Sequence, residues 1–156
     1  MPQGLQRLSW LAAFVAGWII VVPTVQALWV RYQVVSAVRT AQSVRLEEFN
    51  GATVLSKVEL EMEQRGAVAG ALPMVVDIGL PGMGARCFVP HHRVIARDAH
   101  GQEFALTVCF GCEQAATSRA GAFATPFFWR SSLRRLFTDH HIPARDLREY
   151  ARTASP

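Results

Sequence analysis

The sequence predicts an α+β fold: a small domain with a β-hairpin, an antiparallel sheet and flanking helices, carried on a single N-terminal transmembrane helix. Three observations predict it. Residues 8–30 form a run of 23 residues without a charge. Residues 87–112 alternate like two strands about a turn. The segments on either side step by three and four, as amphipathic helices do. A chain of 156 residues has room for one domain rather than two. Its 51 % hydrophobic share lies above the soluble average, and the N-terminal run accounts for the excess.

In the run 8–30 only Ser9, Thr24 and Gln26 are clearly polar. At ~1.5 Å per residue it spans roughly 34 Å, enough to cross a hydrocarbon core of about 30 Å with some tilt. Trp10 and Trp29 lie near its ends, where interfacial aromatics belong, and Trp18 lies between them. Pro23 is tolerated in such a helix. A secretory signal is the competing reading, with Arg7 as its positive region and Val25-Gln26-Ala27 as a cleavage site. The run is longer than a typical signal core, which favours an anchor. The resulting organisation is a tail (1–7), a span (8–30), a helical stalk or linker (31–48), the α+β domain (49–152) and a second tail (153–156). In the stalk, Val34, Val35, Val38, Ala41 and Val44 keep helical spacing. The other reading of that stripe is that it packs on its own domain. Arg7 flanks one end of the span and Arg31, Arg39 and Arg45 the other, so arginine counting alone weakly favours a cytoplasmic domain.

Asn50-Gly51 is turn chemistry, and T-V-L-S-K-V-E-L after it alternates as a strand. Residues 61–72 suit a helix weakened by Gly66 and Gly70 and closed by Pro73. Residues 74–80 suit a strand. The P-G-M-G-A-R lead that follows lacks the lysine and spacing of a phosphate loop. Residues 93–97 and 103–110 are the hairpin strands, joined by D-A-H-G-Q. Residues 115–125 are small and polar and are read as loop. Ser131 or Ser132 would cap a helix carrying Leu133, Leu136 and Phe137 on one face. Ile142-Pro143 ends it, and 144–152 forms a second short helix.

The hairpin concentrates the chemistry. With Arg97 facing Glu103, the ladder sets His91 opposite Cys109 and brings Cys87 near Cys112 and Glu113. Cys87, His91, His92, Cys109 and Cys112 therefore gather at the open end. Val94, Ala96, Phe104, Leu106, Val108 and Phe110 share an apolar face, which is the buried one. The ideal register sets His92 on that core face and His91 with Cys109, although Pro90 disturbs the strand just there. A structural zinc ion is one reading of the cluster, held by Cys87, Cys109, Cys112 and one of His91 and His92, of which the ideal register favours His91. A disulfide is the second, either Cys109 with Cys112 or Cys87 with Cys112. The third is reduced cysteines packed as small hydrophobes.

Sharper chemistry is incomplete. Haem attachment needs a histidine after C-x-x-C, where Glu113 stands. A thioredoxin-like site expects its C-x-x-C at a helix start. A Cys-His nucleophile pair has no orienting third group. Catalytic zinc would have only Glu113 as a base, and a solvated charge explains that residue as well. His140-His141 reads as a helix C-terminal charge. No catalytic residue is assigned.

The net charge is +4, and 15 of the 16 basic residues are arginine. Arg130, Arg134, Arg135, Arg145, Arg148 and Arg152 stand against Asp139, Asp146 and Glu149. Anionic lipid headgroups, an acidic protein surface or a solvated helix face all fit this bias. No nucleic-acid reader motif accompanies it. Phe127, Phe128 and Trp129 beside Arg130, Arg134 and Arg135 read as core or partner anchors.

The motifs C-F-x-P-x-H (Cys87, Phe88, Pro90, His92) and C-F-x-C (Cys109, Phe110, Cys112) resemble those of a group of small bacterial proteins of unknown function. The group's first motif reads C-F-x-P-R-H. Residues 49–56 are similar to its F-x-G-x-x-V-L-G element and 136–143 to its L-L-x-x-x-G-I-P ending, so the likeness covers about residues 49–143. The chain departs at His91, where the group has arginine, and at His141, where glycine is frequent. The resemblance implies His92 as the better ligand and an exported domain. The sequence thus leads to a non-catalytic, membrane-anchored accessory or scaffolding subunit of a larger membrane complex of respiratory or photosynthetic type. It would be single-pass in the inner membrane with a periplasmic domain, and its partners would be the lipid bilayer and other subunits rather than nucleic acid. The alternative is a thiol-redox or metal-handling protein using Cys109 and Cys112.

Overall fold

The structure is a computed structural model that describes residues 3–74, 88–145 and 149–150. A long helix α1 (Gln3–Thr40) leads into two strands, β1 (Ser43–Asn50) and β2 (Thr53–Leu60). A 3-10 turn (Met62–Arg65) and a one-turn helix α2 (Gly66–Gly70) follow. Then come β3 (His92–Arg97), β4 (Glu103–Cys109), β5 (Gln114–Thr117), β6 (Ala120–Ala124) and helix α3 (Phe127–Asp139). The six strands form one antiparallel sheet in the order β2-β1-β3-β4-β5-β6.

The hairpin matches its sequence reading closely. Arg97 pairs with Glu103 and His92 with Val108. Asp98 closes the turn, its Oδ1 accepting from the backbone N–H groups of His100 and Gln102. Gly101 has φ +78, a conformation a side chain would strain. The β1–β2 turn likewise uses Gly51 at φ +59. The alternating apolar face meets the helices. Val44 and Leu46, Val94 and Ala96, and Phe104, Leu106 and Val108 are buried with Val30, Val34 and Val38 of α1 and Trp129, Leu133, Leu136 and Phe137 of α3.

Three sequence expectations need correction. Among the described residues no helix is long and apolar enough to cross a membrane, so the predicted single-pass transmembrane segment at 8–30 is not borne out. The physical reason is that the apolar run serves two ends. Its last third belongs to the domain: Pro23, Ala27 and Val30 are buried, and the same face continues through Val34 and Val38. The remaining 8–22 covers only ~22 Å at 1.5 Å per residue, short of about 30 Å. Second, 31–48 is not a stalk. Its first part completes α1 against the core, and its second part is β1, which lies between β2 and β3. Arg65 caps the junction by donating to the carbonyls of Ala41 and Gln42. Third, 115–125 is not a loop but the hairpin β5–β6.

Smaller differences follow from local chemistry. The strand 53–60 is found as read. The helix expected over 61–72 shortens to the 3-10 turn and α2, as its two glycines disfavour a longer one. Helix α3 starts at Phe127 after Pro126, earlier than a cap at Ser131 or Ser132 would place it. The Ser132 hydroxyl instead bonds back to the Phe128 carbonyl. The expected strand at 74–80 and the C-terminal helix at 144–152 lie largely outside the described residues.

Candidate functional site

Cys109 ends β4 and Cys112 lies in the tight reversal before β5. The two are joined by a disulfide, with Cα atoms 5.3 Å apart. The Cys112 backbone N–H donates to Cys109 Sγ at 3.1 Å. Glu113 takes the left-handed conformation, φ +56, that turns the chain so that Gln114 pairs with Cys109. Both cysteines are buried, 2 % and 5 % exposed.

The histidines of the hairpin end are held by packing and by backbone carbonyls. His91 Nδ1 lies 3.0 Å from the Phe49 carbonyl, and its ring stacks on Tyr150 at 3.7 Å. His92 Nε2 lies 2.8 Å from the Pro143 carbonyl, with its ring against Phe110 and Phe137. A carbonyl can only accept, so in each ring the named nitrogen carries the proton. His92 pairs across the ladder with Glu48, and Glu48 accepts a 2.7 Å hydrogen bond from the Tyr150 hydroxyl. Glu48 and His92 are 1 % and 0 % exposed.

The zinc expectation is corrected by this geometry. Among the described residues no group of three or more His, Cys, Asp or Glu side chains could hold a metal ion. Cys109 and Cys112 are bonded to each other and offer no thiolate. His91 and His92 each use a ring nitrogen on a carbonyl. Cys87 lies outside the described residues. The C-x-x-C pair is thus a staple that locks the end of β4 to the start of β5.

Burial sets the titration of His92. Desolvation pulls its pKa below the ordinary value of 6.5, outweighing the bond to Pro143 and the nearby Glu48 carboxylate, which raise it. The folded state therefore binds fewer protons on His92 than the unfolded chain. Its contribution to stability is complete above about 6.5 and is lost as the pH falls below that value. Denaturant midpoints measured on either side of it should fall on the acid side. His92→Phe, which fits the same aromatic surroundings, should weaken that dependence; an unchanged acid slope would contradict the assignment.

The residues expected to bind a partner divide sharply. Phe127 and Phe128, at the first turn of α3, are 69 % and 54 % exposed and meet edge to face at 5.5 Å. Trp129 is not on that surface. It is 1 % exposed in the core, and its Nε1–H donates to the Pro73 carbonyl at 3.0 Å. Arg130 pairs with Glu113 at 2.6 Å and donates to the Thr125 carbonyl. Arg134 lies over the Phe110 ring at 4.8 Å and donates to the Ala144 carbonyl. Arg135 is exposed on the same helix. Between Phe110, Phe127, Arg130 and Arg134 opens a cavity of about 280 Å³, with Cys109 in its wall.

This arrangement has the form of a docking face: two exposed aromatic rings beside an apolar hollow, rimmed by arginines. Sequence reasoning named its surface residues but missed the buried Glu48–Tyr150 contact beside His92. Acidic residues are normally exposed, and nothing local to Glu48 marks it as buried. Comparisons with family models, curated proteins and solved structures return no match. The resemblance described above therefore rests on its motif residues alone.

Proposed function

We propose that this domain is a non-catalytic accessory or scaffolding module that binds a protein partner through the face around Phe127 and Phe128. The observation that carries the proposal is the exposure of these adjacent rings beside the Phe110–Arg134 hollow. Leaving both rings in water forgoes about 1.5–3 kcal/mol for each if it were buried, and neither contributes to the core cluster. The partner segment that fits offers an apolar side chain for the hollow and carboxylates for Arg130, Arg134 and Arg135.

The Cys109–Cys112 disulfide supports an oxidising compartment for the domain. Its burial weighs against the thiol-redox alternative, because exchange requires a sulfur that an attacking thiolate can reach.

The double substitution Phe127→Ser, Phe128→Ser should leave the unfolding midpoint within about 0.5 kcal/mol of the parent, as surface exchanges do. The same variant should lose at least tenfold in association with the native partner, the effect of about 1.4 kcal/mol. Undiminished association would sink the proposal.

A further inference from the structure

The hollow beside Phe127 takes much of its wall from one short piece of chain. Phe110 and Gly111 are enclosed by the Cys109–Cys112 bond, and Glu113 follows it directly. Phe110 and Glu113 both line the hollow. The Phe110 ring meets Phe137 edge to face, with centroids 6.0 Å apart, and carries the Arg134 guanidinium 4.8 Å from its centre. Glu113 closes a cycle of contacts. Its carboxylate pairs with Arg130 at 2.6 Å, Arg130 donates to the Thr125 carbonyl, and the Thr125 N–H donates back to the Glu113 carbonyl at 2.9 Å. Thr125 and Arg130 are wall residues too. The cycle depends on the left-handed backbone of Glu113, φ +56, which a residue with a side chain seldom keeps unless its surroundings hold it there.

The disulfide is the covalent part of those surroundings. Cysteines three apart close so small a ring that the bond adds less to global stability than a long-range bridge does. Its effect is concentrated on the reversal it closes. From this geometry, and resting on the docking reading above, we infer that oxidation of Cys109 and Cys112 is the step that completes the docking face. The reduced chain folds its sheet but does not dock. In that step the two thiols lose their protons and one S–S bond forms. Two electrons pass to a disulfide donor, which leaves as a dithiol. Both cysteines are buried once the bond is made, beyond the reach of an attacking thiolate. The bond therefore acts as a single licence rather than a reversible switch. Docking is restricted to chains that have met an oxidising compartment.

Amide hydrogen exchange on the full chain reads the reversal without a partner. In the variant Cys109→Ala, Cys112→Ala the Thr125 amide should exchange at least tenfold faster than in the parent. The Phe49 amide, bonded to the His91 carbonyl between β1 and β3, should keep its rate. The protein adduct from a photoreactive residue at position 127 should be lost in the same variant. The parent chain refolded from denaturant in dithiothreitol keeps both cysteine side chains and should reproduce both effects; refolded in air without reductant, it should reproduce neither. An unchanged Thr125 rate, or an equal acceleration at Phe49, overturns the inference. So does an adduct as strong from the variant as from a parent that gives one, with the docking reading left standing. A parent chain that gives no adduct at all fails the docking reading itself, and the inference with it.

Discussion

Trp129→Ala should be the most damaging single substitution in the domain, costing about 3–5 kcal/mol of stability. Trp129 is 1 % exposed among Leu72, Leu133 and the other core residues, and its removal leaves a cavity that the rigid sheet cannot close. It would also orphan the Pro73 carbonyl, which accepts from the indole N–H. Domains of this size are stable by only about 5–15 kcal/mol, so the variant should unfold at much lower denaturant. Trp129→Phe keeps most of the volume and should lose clearly less. If alanine cost no more than the neighbouring surface exchanges, the helix α3 packing described above would be incorrect.

Tyr150→Phe should cost roughly 1–3 kcal/mol, the penalty for withdrawing a hydrogen bond from a buried charged acceptor. The Tyr150 hydroxyl donates to Glu48, whose carboxylate has almost no contact with water, and Arg145 approaches the same oxygen at 3.6 Å. Burial, and then the bond to Glu48, push the Tyr150 hydroxyl well above the ordinary tyrosine range, so it remains a donor. The substitution removes one oxygen and leaves the ring to stack on His91, which isolates the hydrogen bond from the packing. Chemical denaturation of the two proteins compares them directly; coincident curves would show that the carboxylate is satisfied otherwise.

The parts of the fold legible in the sequence were those where local chemistry and burial agree. In the β3–β4 hairpin, β4 alternates clearly, Val94 and Ala96 of β3 keep the same core face, and aspartate and glycine mark the turn, so its register followed from the pattern. The β5–β6 hairpin had neither: its alanines and glycine are poor strand formers, and the disulfide at its start is what turns the chain into it. Helix α1 shows the opposite failure. An unbroken apolar run suits a membrane span, yet Pro23, Ala27 and Val30 are apolar because they fill the domain core, a distinction that only the tertiary structure makes.

The candidate site divides in the same way. Cys109, His91 and His92 were brought to the open end of the hairpin by register. What they do there depends on contacts remote in sequence, such as Phe49, Pro143 and Tyr150. Adjacent aromatics at 127–129 announced an anchor, but one residue decides which rings face water. Helical geometry turns Trp129 inward and leaves Phe127 and Phe128 outside.

The docking claim is tested most directly by site-specific photocrosslinking from position 127 in the full chain under native conditions. A photoreactive residue at Lys57, on the edge strand β2, serves as the control. Position 127 should give one discrete protein adduct that is lost on Arg134→Glu, and position 57 should give none. No adduct at 127, or the same adducts from both positions, would contradict it.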